Sequence, residues 1–277
     1  MADDRVSASL ANLSVDSAPD DGLVYGSDDL VTTDDAQLCL VGRFLTDKAI
    51  NFHAMRHTLA SVWQPLMGMQ VREVKTGLYV FQFFHAVDVH RILDMRPCTF
   101  DNHLLILDRF GVSSSPFAVP LYHVPFWIQV HGLPSGFRSA RVLQDIGNKI
   151  GQFLELDPTN FERSWNSYLR MRVSWDVRRP LREGFKLRHD KGDWFTVGFT
   201  YERLPSFCFL CGLLSHTERF CPTLLDFAPG QAVRRFSASL RALSRWEQRN
   251  IGDRVRWCHP LSLLAVVHLS TLQPLVV

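Results

Sequence analysis

The chain has 277 residues, 46% of them apolar, with 30 Lys and Arg against 28 Asp and Glu. That is enough for one or two domains with a sizeable core, and it excludes a wholly disordered chain. The charge is uneven: residues 1–36 hold nine Asp and one Arg, a net of −8, which leaves +10 on the remaining 241 residues.

Residues 1–36, rich in Asp, Ser, Ala and Gly, read as a disordered acidic tail. Alternation and helical spacing then predict an α+β order over 37–112. Leu38 to Phe44 is a strand. Asn51 to Trp63 is a helix with Phe52, Met55, Leu59 and Val62 on one face and Asn51 as its cap. Met69 to Val74 and Leu78 to Phe84 are strands, Ala86 to Met95 a helix, and His103 to Phe110 a strand. This β-α-β-β-α-β order is that of an RRM-like or ferredoxin-like unit. Tyr79, Phe81 and Phe83 fall where an RNA-recognition-motif domain carries its stacking aromatics, and core packing is the expectation for at least two of them.

A linker is expected over 113–125, then a second β-rich unit over 126–204. It comprises a strand at Phe126 to Val130, a helix from Ser139 to Ile150 burying Val142, Ile146 and Ile150, and an extended stretch from Gly151 to Leu156. An alternating strand follows from Tyr168 to Trp175, then a hairpin turning at Asp190 to Asp193. No repeat is visible between the two units. From Arg163 to Lys191, nine basic and three acidic residues are interleaved with Trp165, Tyr168, Trp175 and Phe185. Basic strands with aromatics suit a single strand, whose phosphates are neutralised while its bases stack. Arg170, Arg172, Arg178 and Arg179 are the candidate phosphate contacts. An acidic tail on a basic body fits the same partner.

Cys208, Cys211, His216 and Cys221 have the spacing C-x₂-C-x₄-H-x₄-C over 205–224. Three thiolates and one imidazole suit one tetrahedral Zn2+, and four protein ligands leave no open position, so the expected role is structural. So short a segment cannot build its own core; the metal must supply its folding energy. Six cysteines with no secretory signal point to reduced thiols in an intracellular protein, in nucleus or cytoplasm. Cys39, Cys98 and Cys258 read as plain thiols, and His53 with His57 as solvated helix histidines lacking a third ligand. The stretch from Leu261 to Val277 is broken by His268, Gln273 and Pro274 and falls short of a bilayer crossing, so no membrane partner is expected. No phosphate-loop, nucleophile-elbow or zinc-protease motif is present, and no catalysis is expected. Ala232 to Asn250 is predicted as a basic helix inside a tail, 225–277, to which the sequence assigns no fold of its own. The apolar ending of that tail suggests a truncated or mispredicted gene end.

The cysteine spacing resembles the zinc knuckle of retroviral nucleocapsid proteins. That resemblance implies base stacking by Phe209, with Thr217 or Phe220 as a second position. Leu213 and Leu214 depart from its polar pattern and are suited to packing on the preceding domain. More widely, Tyr201-Glu202-Arg203-Leu204-Pro205-Ser206-Phe207-Cys208, Leu40-Val41-Gly42-Arg43, Phe126 to Pro134 and Ile146 to Gly151 resemble a plant family derived from LINE-type retrotransposons. Its members pair domain of unknown function 4283 with a C-terminal CCHC knuckle. The resemblance covers roughly 36–222. It implies a nucleic-acid-binding protein of retroelement origin without catalysis, and with the basic aromatic strands above the expected function is zinc-dependent binding of single-stranded RNA or DNA. The alternative is a protein-interaction scaffold in which the knuckle is only a clip.

Overall fold

The structure is a computed structural model that describes residues 37–109, 115–162, 166–227 and 231–242. The acidic segment 1–36, Trp165, Cys258 and the stretch after 242 lie outside the described residues.

The fold is α+β, built on two five-stranded antiparallel sheets. In chain order the first unit is β1 (Cys39–Phe44), α1 (Phe52–Trp63), β2 (Met69–Lys75), β3 (Leu78–Phe83), α2 (Ala86–Asp94), β4 (Cys98–Phe100) and β5 (His103–Arg109). Its strands lie in the order β2-β3-β1-β5-β4. Both helices are capped by side chains. Asn51 Oδ1 accepts the Ala54 N–H at 3.0 Å, and His85 Nδ1 accepts the Val87 N–H at 3.1 Å. Helix α1 buries Met55, Leu59 and Trp63, an i, i+4, i+8 row, and leaves Val62 exposed. The expected face is therefore rotated toward Trp63, whose indole packs edge-on against Phe81. Tyr79, Phe81 and Phe83 all face the helices and are buried, so the whole aromatic row of β3 is core. Asp88 is fully buried; its carboxylate accepts the Leu66 N–H at 2.9 Å and pairs with Arg91 at 2.7 Å, tying α2 to the turn after α1.

The second unit runs β6 (His123–His131), α3 (Ala140–Ile150), β7 (Gln152–Leu156), β8 (Tyr168–Asp176), β9 (Gly184–Leu187) and β10 (Phe195–Tyr201), in sheet order β7-β8-β6-β10-β9. Strand β6 starts three residues before the expected Phe126, and the preceding linker holds a short 3-10 turn at Pro116–Ala118. Helix α3 buries Leu143, Ile146 and Ile150, with Val142 only partly covered.

The two orders correspond strand for strand: β6 to β1, β7 to β2, β8 to β3, β9 to β4 and β10 to β5. The units are thus a topological repeat that sequence inspection does not show. One element breaks it. Between β8 and β9 there is no counterpart of α2. Instead Val177 and Leu181 from that connector, with Leu204, Phe207 and Leu214 from the cysteine segment, join the cluster of Phe126, Trp175 and Tyr201.

The face of the first sheet away from its helices is also covered. Val41, Leu104 and Ile106 are buried in one apolar cluster with Leu121 of the connector and Val124 of β6. Such burial stabilises by about 1.5–3 kcal/mol per large side chain, against about 0.5–1.5 kcal/mol for a neutral hydrogen bond. Apolar contact therefore dominates the junction, and three arginines orient it. Arg43 Nε donates to the Leu121 carbonyl at 3.0 Å, Arg172 Nη2 to the Asp94 carbonyl at 2.8 Å, and Arg203 Nη1 to the Met95 carbonyl at 2.9 Å. The last two neutralise carbonyls at the C-terminal end of α2.

Candidate metal centre and nucleic-acid interface

The segment after β10 folds around its cysteines. The Gly212 N–H donates to the Cys208 carbonyl at 2.8 Å and the Cys208 N–H to the Leu213 carbonyl at 2.9 Å, closing the tight turn between the first two cysteines. Gly212 has φ +76°, and a Cβ there would lie 2.6 Å from the Phe236 ring. A 3-10 turn at Glu218–Phe220 then returns the chain to Cys221. The ligand atoms of Cys208, Cys211, His216 and Cys221 all lie within 4.8 Å of one another, with Cys211 Sγ 3.3 Å from His216 Nε2. Among the described residues, no other group of three or more Cys, His, Asp or Glu side chains is so arranged.

The donor set fits zinc. Cys208 and Cys221 are buried and Cys211 is half-buried, so the three sulfurs and the imidazole converge on one largely enclosed point. Burial raises the Cys211 thiol to about 12, with Cys208 and Cys221 adding to the effect. At Cys221 burial pushes the same way, but hydrogen bonds from Thr223, His216 and Cys208 outweigh it and bring that thiol down to about 6. The cluster pushes one thiol up and another down, and a dication bound among them would favour the thiolate at each ligand. Held by these four residues, Zn2+ would supply a fold-closing crosslink. Acid protonates the same groups and must weaken it.

The predicted nucleic-acid contacts separate into two groups. Arg170 lies along β8 on the face away from α3. Its guanidinium is 2.8 Å from Asp157 Oδ2 and 2.8 and 2.6 Å from the two Glu202 oxygens, and sits 3.9 Å from the centroid of the Trp127 ring. Burial opposes its charge, but Glu202 and Asp157 outweigh that and raise its pKa further. Opposing burial, hydrogen bonds from Arg170 and Thr159 hold the Asp157 carboxyl down to about 2. Arg172, only 11% exposed, pairs with Glu155 at 2.8 Å besides bridging to α2. The expectation that these two neutralise phosphates is therefore corrected: shared position on one strand face was right, but that face is an internal ion-pair surface. Arg178 and Arg179 are 59% and 71% exposed. Arg178 also pairs with Asp176 at 2.8 Å and stacks over Tyr122 at 4.4 Å.

Phe209 departs from its expected role in a similar way. Its half-buried ring packs edge-on against buried Phe207 at 5.0 Å, and its carbonyl accepts the N–H groups of Arg235 and Phe236. The knuckle's exposed ring is Phe220, 63% exposed, with the Arg219 guanidinium 5.9 Å from its centroid. Leu214 is buried in the second unit's core, as its departure from the knuckle pattern predicted.

Two features went unpredicted. Residues 231–242 form an extended strap with a 3-10 turn at Ala238–Leu240, not the start of a basic helix. It crosses the knuckle at Phe209 and returns to β10, where the Ala242 N–H donates to the Tyr201 carbonyl at 2.9 Å. Trp194 is 59% exposed, with Arg188 4.7 Å above its ring. Its signal was present in the alternation: Phe195, Val197, Phe199 and Tyr201 point inward, so position 194 points out.

Two family models match parts of the chain. The model of the family described as Domain of unknown function (DUF4283) matches residues 32–116, and the model described as Zinc knuckle matches residues 175–223. The second match begins at Trp175, so it includes β9 and β10, which precede the cysteines. An uncharacterized protein of Arabidopsis thaliana, At4g02000, is 24% identical over 170 residues, 61% of this chain and 50% of that protein. The chain thus spans about half the length of that curated relative. Solved structures described as a Sxl-lethal protein/RNA complex and as the Sex-lethal RNA recognition domains 1 and 2 from Drosophila melanogaster are each 16% identical. They cover 50% of this chain and 81% and 85% of their own, at a TM-score of 0.21. That score carries no argument about fold or ligand.

Proposed function

We propose that the protein binds single-stranded nucleic acid, RNA or DNA, and that one structural zinc ion holds part of the binding surface in place. The observation that carries this reading is which arginines remain exposed. Arg178 and Arg188 each lie over an aromatic ring, Tyr122 and the exposed Trp194, with Arg179 beside the first. Exposed guanidinium and aromatic pairs suit phosphate neutralisation and base stacking together. The split-βαβ winding of the first unit fits an RRM-like ancestry, yet the covered face of its sheet moves the expected surface to the second unit and the knuckle. The ligand set leaves zinc no open position, which fits a binding protein without catalysis. Reduced thiols fit an intracellular setting, and the resemblance to the LINE-derived plant family fits a retroelement origin.

The test is a salt series with single-stranded and duplex oligonucleotides. Wild type should prefer the single strand. An Arg178→Gln/Arg179→Gln variant should flatten the log K against log salt slope by about 1.4, since each phosphate contact on a single strand contributes about 0.7. An unchanged slope removes these arginines from the interface, and weak binding alike for all forms removes nucleic acid. A scaffold reading is favoured by one observation, the burial of Leu214 in the domain core, which is what a clip requires. It predicts partner capture that is indifferent to both arginines.

A further inference from the structure

Strand β2 is the outer strand of the first sheet, and no described strand pairs with its free edge. A groove of about 400 Å3 runs beside it, lined by Arg56, His57 and Ala60 of α1 and by Met69 to Arg72 of β2 itself. The lining holds no carboxylate. Among the described residues, neither Arg56 nor Arg72 has an ion-pair partner. The one carboxylate of β2, Glu73, is engaged in its own hairpin, where it accepts the Gly77 N–H at 2.8 Å. Two uncompensated guanidiniums in one concavity attract an anionic partner. Nearby, Val62, Leu66, Met67, Phe84 and Val87 are exposed. They gather at one end of the unit: the Leu66 N–H donates to Asp88 of α2 at 2.9 Å, and Met69 lies opposite Phe83 in the β2–β3 register. Single exposed apolar side chains need no partner, but five at one end, beside an unpaired strand, make a surface that draws in another segment.

A segment of suitable chemistry enters the fold at this place. The Phe83 N–H donates to the Leu38 carbonyl at 2.9 Å, so the chain joins β1 beside Phe84. Leu38 is two strand spacings from Met69, about 10 Å, and the seven residues 31–37 can span up to about 24 Å. The residues before them read Asp28-Asp29-Leu30-Val31-Thr32-Thr33-Asp34-Asp35, an apolar and β-branched centre between two pairs of aspartates. We propose that this stretch folds back over the free edge of β2 as an added antiparallel strand, with Leu30 and Val31 covering Leu66 and Met67, and Asp28 and Asp29 meeting Arg72 and Arg56. The direction follows from the topology. β1 and β2 both pair antiparallel with β3 and so run the same way, and a chain turning back from the start of β1 passes β2 in reverse. Main-chain pairing supplies the affinity, and the charges set the register. Covered in this way, the edge no longer offers a template to another chain.

The test uses the zinc-loaded full chain with p-benzoyl-phenylalanine in place of Val31, a photoreactive side chain that inserts into C–H bonds and favours methionine. Irradiation should join position 31 to the peptide holding Met67 and Met69 of the same chain. Arg56→Glu/Arg72→Glu should abolish that crosslink, and adding Asp28→Arg/Asp29→Arg should restore it. Both arginines are exposed, so these variants keep the core and the metal. Hydrogen exchange reads the contact without a probe: the β2 amides should exchange at least about 5-fold faster once residues 1–36 are deleted. Crosslinks between two chains, or spread over both units, overturn the proposal. So does β2 exchange that is the same with and without the segment. Protection of β2 that arises only on adding an oligonucleotide gives the edge to nucleic acid and overturns it as well.

Discussion

Replacing Arg170 with Ala removes three charge-assisted hydrogen bonds and the cation over Trp127, and leaves Asp157 and Glu202 beside each other in a partly covered site. Breaking a buried pair from one side costs about 3–5 kcal/mol. Arg170 is 20% exposed, Glu202 keeps its bond from Gln129 at 2.9 Å, and Asp157 keeps the Thr159 hydroxyl at 2.7 Å. Those residual contacts reduce the expected loss to about 2–4 kcal/mol at pH 7. The pH dependence follows from the Asp157 carboxyl, which is held at about 2 in the folded protein and titrates near 3.9 when unfolded. A carboxyl depressed on folding contributes fully above its unfolded value and loses that contribution as pH falls through the folded one. Wild type should therefore keep the pair's contribution down to about pH 4 and lose it toward pH 2. The variant, with two uncompensated carboxylates, is relieved by protonation over the same range, so the gap between the proteins should narrow below pH 4. Urea unfolding in excess zinc, followed by tryptophan fluorescence at pH 7 and pH 3, reads both. A shift under about 0.5 kcal/mol at pH 7, the size of a neutral surface change, would refute the assignment of Arg170 to the fold. So would a gap that stays constant with pH.

Gly212→Ala would place a methyl 2.6 Å from the Phe236 ring at a positive φ; it should cost at least about 1–2 kcal/mol and loosen the strap, seen as faster proteolysis after residue 230 with zinc still bound. Deleting residues 1–36, a net of −8, should tighten oligonucleotide binding at low salt and matter less at physiological ionic strength, where the Debye length is about 8 Å; equal affinity at low salt would show that the segment does not compete.

Much of the secondary structure could be read from the chain because periodicity was strong. The strict alternation from Tyr168 to Trp175 and the capping Asn51 each mark their elements locally. The cysteine spacing did the same for the metal cluster, since four ligands within fourteen residues leave one way to converge. What escaped was long-range. Arg170 and Arg172 alternate outward from Leu169, Met171 and Val173, but only the tertiary fold puts Asp157, Glu202 and the end of α2 opposite them. The same limit applies to Phe209, whose neighbours Phe207 and Phe236 are near in sequence on one side only. The repeat between the units was hidden because it lies in strand order and not in side chains: β1 reads Cys-Leu-Val-Gly-Arg-Phe where β6 reads His-Val-Pro-Phe-Trp-Ile-Gln-Val-His.

The missing second helix of the second unit gives zinc a wider consequence than a tethered knuckle would have. In the first unit α2 closes the sheet with Val89, Ile92 and Leu93. In the second, Leu204, Phe207 and Leu214 do so, and the Leu181 N–H is held by the Gly212 carbonyl at 2.9 Å. These side chains are positioned by a segment too short to fold without its metal. Chelating zinc should therefore unprotect not only 205–224 but also the connector 177–183 and the β9–β10 hairpin. The first unit's α1 and β1–β3 should remain protected, because their core is made of their own residues. Hydrogen exchange before and after chelation separates the cases. Loss of protection confined to 205–224 would mean that the knuckle rests on the domain without completing it. Loss spreading through β9 and β10 would mean that the metal ion stands in for the absent helix.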